Sequence, residues 1–513
     1  MSRKRKAAIG AAFGYTQFGL ALITGLVLVP VILDQVGARA YGLWLASGEI
    51  LAHAGVVDFG VLGIVPWLVA EADGGNDRAG MRRILTTGVT LGAAIGLLFG
   101  VTAAVLWQVL PSALWLTASD RALVGPPLAL LVTVTAIGYP LRAFQAVLSG
   151  LQDSFFTGII TVTQAAISAI LTIILLFQGY GLWALAGGAA AGLTFGLLAS
   201  FVRTAILAPD LLRGWQRPER GDVRKLMANG LGAWLGGFGW RLLSATNGVV
   251  ITYLGHPEGV AIYACTAKVA NLASQLSWVL PDNALVGLAH LHGQRQSERV
   301  AEVVSAMQRL HLLLAGVAAC GVLAFNATFV AVWVGPELFG GTVLNALIAA
   351  GIVVASFGHG LSASVSVVGN RLRVGILTVV NGVIQPLLAV YLGHRLGLVG
   401  VALAMLVAAS VSLLPVGMTL LGVYARVAPG QLLRREVLPW VVRTGPLMAL
   451  ALGIGAAHGR LGFWPSATLT AAITLAYFWQ VRPLVAGLPL GSTWEAWVVR
   501  LRLAPTAPAA NRG

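Results

Sequence analysis

RKRKAAIGAAFGYTQFGLALITGLVLVPVIL, residues 3–33, sets four basic residues ahead of an apolar run that lasts from 9 to 33. A bilayer crossing takes about 20 helical residues at a rise of about 1.5 Å each. The run is too long for a cleaved leader and lacks a small-residue cleavage site, so it is expected to remain as a first transmembrane helix. The same signal repeats along the chain. Spans are expected at 9–33, 41–68, 84–110, 122–148, 155–178, 181–207, 227–254, 258–290, 305–334, 341–368, 373–394, 397–424, 436–458 and 463–487. Of the 513 residues 58% are apolar and 10% charged, with a mean hydropathy of +0.85, whereas soluble domains carry roughly 25% charged residues. Fourteen crossings consume nearly the whole chain and leave no sizeable water-soluble domain. The runs are too long and too evenly apolar for the alternating strands of a membrane β-barrel. The expected fold is an all-α polytopic membrane protein.

A net charge of +15 suggests nucleic acid only until its distribution is read. With the N-terminus in the cytoplasm, the segments on that side carry 23 of the 33 Lys and Arg, counting helix ends with the segments they flank. The loops on the other side carry 4. That is the positive-inside bias of an inner-membrane protein, and it sets both termini in the cytoplasm. A bacterial plasma membrane is the expected location, and no nucleic-acid partner is. The longest polar connection, 208–226, holds Arg213, Arg217, Arg220, Arg224 and Lys225 among Leu211, Leu212, Trp215 and Leu226. It reads as a cytoplasmic segment lying on anionic headgroups. Trp107, Trp115, Trp333, Trp440 and Trp464 fall near helix ends, as an interfacial belt requires. Cys265 and Cys320 lie inside apolar segments, and no nucleotide, hydrolase or metalloprotease motif stands in a suitable context. No catalytic residue, cofactor or metal is expected, and the chain is expected not to be an enzyme.

An internal repeat appears at an offset of about 218 residues. Ala184-Leu185-Ala186 recurs as Ala402-Leu403-Ala404, with Gly179 and Gly397 each five residues ahead; Thr161, Gln164 and Ser168 return as Thr378, Asn381 and Gln385. Six helices per copy is an even number, so the copies share one topology and relate by an axis along the membrane normal. This predicts an N-terminal six-helix lobe (1–207), a basic linker (208–226), a C-terminal six-helix lobe (227–424), two accessory helices (425–487) and a cytoplasmic tail (488–513).

The segments YGLWLASGEILAHAGVVDFGVLGIVPWLVAEADGGND (41–77), LGHPEGVAIYACTAKVANL (254–272) and SVVGNRLRVGILTVVNGVIQPLLAVYLGHRLGLVGVALAMLVAA (366–409) resemble polysaccharide flippases of the Wzx type. These belong to the multidrug/oligosaccharidyl-lipid/polysaccharide exporter superfamily. The resemblance covers about 9–424. It implies two six-helix lobes in a V around a central cavity, and transfer of polyprenyl-pyrophosphate-linked oligosaccharide from the inner to the outer leaflet for cell-surface polysaccharides such as O-antigen or exopolysaccharide. Family members often have an acidic residue in the seventh helix near the position of Asn247, so a coupling role is not carried over to it.

A charge at mid-bilayer costs several kcal/mol, so each one marks a cavity or a pair. Lys268, Asn271, Gln275 and Asp282 fall within about 60° of one another on the eighth helix at about 100° per residue. In the seventh, Arg241 lies about 21 Å from the cytoplasmic end, beside Trp240, Ser244 and Asn247. A guanidinium and an ammonium near the midplane suit a diphosphate; pairing with Glu49 or Asp58 is the structural alternative. Glu49 and His53 share a face, whereas Asp58 is about half a turn away unless the helix breaks, which Gly55, Gly60, Gly63 and Pro66 favour. Glu49, Asp58 and Asp282 are therefore candidates for a coupling ion. Arg241, Lys268, Asn271, Gln275, Asn247 and His359 are candidates for substrate. The hydroxyl stripes Ser356, Ser362, Ser366 and Thr157, Thr161, Ser168, Thr172 either meet sugar or glue helices. Arg142, Arg203, His290, His292 and Arg309 lie near cytoplasmic helix ends, where snorkelling explains them.

A flippase working by alternating access is the expected function, with anionic lipids and polysaccharide assembly proteins as further partners. A cation-coupled multidrug exporter is the rival among transporters, but it calls for an acidic cavity. A membrane glycosyltransferase or polymerase calls for a long outer loop with catalytic residues, and the outer loops here are short.

Overall fold

A computed structural model of the chain describes residues 3–488 apart from 215 and 217. Trp215, Arg217 and the tail expected at 488–513, beyond its first residue, lie outside the described residues. Two compact units divide between Ala261 and Ile262. The first unit holds α1 (Arg3–Ala54), α2 (Val61–Gly74), α3 (Arg78–Ala113), α4 (Ala118–Gly138), α5 (Arg142–Gly150), α6 (Ser154–Phe177), α7 (Leu182–Leu207), α8 (Arg220–Ser244) and α9 (Asn247–Tyr253). The division falls inside α10 (Pro257–Asp282). The second unit continues with α11 (Leu285–Gly293), α12 (Ser297–Trp333), α13 (Thr342–Val368), α14 (Arg371–Leu396), α15 (Leu398–Ala408), α16 (Leu414–Ala425), α17 (Pro429–Leu432), α18 (Leu438–Ala456) and α19 (Phe463–Ala486). No strand occurs among the described residues. The expected second lobe begins at 227, whereas the compact division puts 227–261 with the first unit.

Each of the fourteen expected spans coincides with a helix or a broken pair of helices. Among the described residues ten stretches are apolar and long enough to cross a bilayer. The stretches that fall short include α8–α9 and α10, which carry Arg241, Asn247, Lys268 and Asn271.

In the first unit, α6 and α7 form a tight hairpin against α1 and α4. Gly188, Gly192 and Gly196 let α7 approach the backbone and side chains of Gln164, Ser168 and Thr172. Thr161 and Thr172 return their hydroxyls to carbonyls one turn back, at Thr157 and Ser168. This stripe packs helices, as small-residue faces do in membranes. Arg39 ties three elements at one end, with Asp120 and Glu258 both at 2.9 Å. The connections 34–40, 111–121 and 255–257 thus share one end of the unit, as an even number of crossings between them requires.

One expectation about this unit is sharpened and one corrected. The connection expected over 34–40 narrows to Gly37, whose non-helical backbone (φ 80°, ψ 162°) joins two helices within α1 at a kink. The basic linker is not wholly surface-lying, because α8 starts at Arg220 and both Leu211 and Leu226 are buried in the unit's core.

In the second unit α12 is the central rod, packed by α13, α18 and α19. Buried Asn326 and Asn345 bind each other (2.8 Å), the Thr266 carbonyl and the Val322 carbonyl. That network joins α10, α12 and α13 without leaving these amide nitrogens unpaired. Trp440 does not belong to an interfacial belt: it is buried at the α12–α18–α19 junction and donates to the Tyr477 hydroxyl at 3.0 Å. Nor do Arg203 and Arg309 merely snorkel. Arg203 is paired with Asp153 at 2.7 Å over the Phe156 ring, and Arg309 grips Glu436 at 2.6 Å.

Gly37 and Gly255, at the expected offset, both have positive φ (80° and 84°). Gly181 and Gly397, which open α7 and α15, share φ/ψ of 57°/−130° and 59°/−138°. Gly179, matched to Gly397 by sequence, also has positive φ (82°).

Candidate functional site

The first unit brings two broken helices face to face. After α1 ends at Ala54, one tight turn (Gly55–Asp58) and two left-handed residues, Phe59 (φ 47°) and Gly60 (φ 69°), redirect the chain into α2. This is the break that the glycines and Pro66 lead one to expect. The Asp58 carboxylate stays local, accepting from the Gly60 amide at 2.8 Å. Opposite, the seventh crossing breaks at Ala245 and Thr246 between α8 and α9, where neither Gly nor Pro signals it.

Residues from α1 hold that second break open. Glu49 accepts the Val249 amide at 2.9 Å, meeting one of the unpaired N–H groups that begin α9. Gly248 admits the carboxylate, since a Cβ there would come within 3.0 Å of it. The Thr246 hydroxyl donates to the Leu242 carbonyl (2.6 Å) and lies 3.2 Å from His53 Nε2. Arg241, one turn before the break, points its guanidinium at the first one. Its Nη1 stands 3.5 Å from where a Cβ on Gly55 would be, with the Tyr139 hydroxyl beside it. Trp234 closes the side, donating to the Val56 carbonyl at 2.7 Å and stacking between Phe59 and Phe238. Asn247 is half-buried at the start of α9.

Neither membrane cation is paired within its own unit: no described carboxylate of the first unit lies within 4.0 Å of Arg241, and none of the second within 4.0 Å of Lys268. Both are half-buried. Lys268, in the second unit, shares its helix with exposed Asn271 and Gln275.

Asp282 is not part of that stripe in use. It binds His359 of α13, whose Nε2 lies 3.0 Å from Oδ2 and 3.1 Å from Oδ1. Trp278 stacks on the His359 ring at 4.4 Å, and its indole N–H donates to Ser356 at 3.0 Å. Ser277 meets the same hydroxyl at 2.8 Å. Ser356 is therefore helix glue between α10 and α13. Ser366 returns its hydroxyl to the Ser362 carbonyl. His311 on α12 completes the group; a single histidine in an apolar helix carries no sequence signal of its own.

No family model matches the sequence, and neither does any curated protein. Solved structures do match in fold. The lipid II flippase MurJ in an inward closed conformation aligns with a TM-score of 0.65 at 13% identity, over 93% of this chain and 100% of its own. An inward-facing multidrug resistance MATE family transporter of the MOP superfamily gives 0.63 at 17%, over 82% and 96%. A MOP superfamily transporter from Pyrococcus furiosus gives 0.56 at 17%, over 83% and 96%. The chain has the fold of MOP-superfamily transporters, multi-pass and all-helical.

Proposed function

We propose that the protein is a flippase that moves a polyprenyl-pyrophosphate-linked oligosaccharide between leaflets by alternating access, for a cell-surface polysaccharide. The observation that carries this reading is that the two membrane cations, Arg241 and Lys268, each lack an acidic partner among the described residues of their own unit. Unpaired cations inside a bilayer are costly, and a diphosphate passing through satisfies both in turn. The arginine supplies a planar fork for two phosphate oxygens and the lysine a mobile point charge. Asn247, Asn271 and Gln275 offer hydrogen bonds to the headgroup, whereas His359 is taken up by Asp282. The lipid tail stays in the bilayer. Glu49, where two helices break, is the carboxylate assigned to a coupling cation; Asp58 supports the break beside it. That one fold relative is a lipid II flippase fits this cargo class.

The test is export. Arg241→Gln and Lys268→Gln should each abolish appearance of the glycan at the surface while membrane abundance stays near that of the wild type. If each cation instead neutralises a carboxylate, removing it strands a buried charge and lowers abundance as well, by about 3–5 kcal/mol of stability. Recovery of abundance and export together in Arg241→Gln combined with Glu49→Gln or Asp58→Asn, or in Lys268→Gln with either, would refute the assignment. A multidrug exporter is the second reading, favoured by the stacked Phe59, Trp234 and Phe238 beside Glu49. It predicts efflux of a cationic dye that Glu49→Gln abolishes and Lys268→Gln leaves intact.

A further inference from the structure

We propose that Asp282, His311 and His359 form a binding site for one divalent transition metal ion of the zinc class, joining α10, α12 and α13 inside the second unit. One ligand atom from each of the three residues lies within 4.8 Å of the other two. Two imidazoles and a carboxylate are a donor set that zinc takes with three protein ligands and an open fourth position. Four-coordinate zinc holds its donors about 2.0–2.2 Å away. The His359–Asp282 pair, 3.0 Å apart, already stands as close as two ligands of one ion do, so any further approach falls to His311.

A second observation points to a ligand independently of the cluster. His311 is fully buried, and its Nδ1 lies 2.8 Å from the Met307 carbonyl. Donation from Nδ1 to a backbone carbonyl is the arrangement that fixes a metal-binding imidazole, because it leaves the lone pair on the other nitrogen. That nitrogen, Nε2, is buried and has no hydrogen-bond partner. Gln308, three residues earlier on the same helix, is also fully buried with neither amide atom partnered. A glycine at 360 is what lets α12 bring both side chains so near α13, since a Cβ there would come within 2.8 Å of each. Polar atoms so deeply buried are ordinarily satisfied.

The surroundings act as supports for such a site. Trp278 stacks on His359 and is itself anchored to Ser356, which fixes the ring plane. Asp282 has no lysine or arginine within 4.0 Å among the described residues of its unit, and a dication held by one carboxylate and two neutral imidazoles suits it. The site does not depend on which substrate the protein carries.

Cobalt(II) is the probe. The full-length protein, purified without a histidine tag and stripped with a chelator, should take up one equivalent with the visible absorption of a low-coordinate cobalt site, and zinc should displace it. Asp282→Asn, His311→Gln and His359→Gln should each weaken binding by about 100-fold or more, beyond the 10–100-fold typical of residues that only orient a ligand. Replacing His290 and His292, exposed at the end of α11, should leave the absorption unchanged. X-ray absorption at the zinc edge of the wild type needs no variant and should show two imidazole rings with oxygen. The proposal is overturned by a wild type without a saturable cobalt signal, as a proton shared by Asp282 and His359 alone would give. Loss of the signal on replacing His290 and His292, its persistence in His311→Gln, or an all-oxygen zinc environment overturns it equally.

Discussion

Gly60→Ala tests whether the break that aims Arg241 is set by close contact between two backbones. Gly60 has φ of +69°, and a Cβ there would stand 2.7 Å from the Gly230 carbonyl oxygen and 3.2 Å from Trp234 Cβ. The left-handed conformation costs an L-residue about 1–2 kcal/mol. Crowding the Gly230 backbone costs about 1–3 kcal/mol more, and the stiffer unfolded chain returns about 0.4–1 kcal/mol. The net expectation is a loss of about 2–4 kcal/mol. Gly63 is the internal control, exposed in α2 with nothing within 4 Å of a Cβ. Alanine there should stabilise by about 0.5–1 kcal/mol, as in any helix interior. Thermal unfolding of both variants in the same detergent, followed by circular dichroism, gives the comparison. Gly60→Ala should unfold below the wild type and Gly63→Ala at or above it. Equal midpoints would refute the reasoning, because then neither φ nor the α2–α8 approach constrains residue 60.

Three further outcomes are expected. Arg309→Met strands Glu436, which is 3% exposed, and should cost about 3–5 kcal/mol in thermal unfolding, most of it restored by adding Glu436→Met. Glu258→Gln removes an exposed partner of Arg39 and should shift the same measurement by no more than about 1 kcal/mol. Reporter fusions after Gly75, within 208–226 and at the C-terminus should read cytoplasmic, and fusions within 111–121 and 335–340 extracytoplasmic; a C-terminus outside would break the even count.

The crossings were legible because apolar length is a one-dimensional signal, and the break after Ala54 because Gly55, Gly60 and Pro66 are written into it. The joint at Ala245–Thr246 was not, since the residues that sustain it, Glu49 and His53, lie about 200 positions earlier in the chain. A shorter separation, 77 residues between Asp282 and His359, likewise hid the second unit's cluster. Asp282 looked like a member of the Lys268 stripe by angle, but it is the last residue of α10 and His359 takes its carboxylate. Trp440 misled for the opposite reason: its place near a helix end resembled an interfacial anchor, and only the packing of α12, α18 and α19 buries it.

Gly37, Gly181, Gly255 and Gly397 are held by one kind of constraint. Nothing lies within 4 Å of a Cβ built on Gly37, Gly255 or Gly397, and on Gly181 only a methyl of Val36 just reaches that distance. Space does not exclude a side chain at these joints. Handedness does, because each φ is one that L-residues rarely adopt. A semisynthetic chain with D-alanine at the four positions would keep every bend that L-alanine strains, so mirror-image substitution separates these joints from the glycines of α7, which are there for closeness alone.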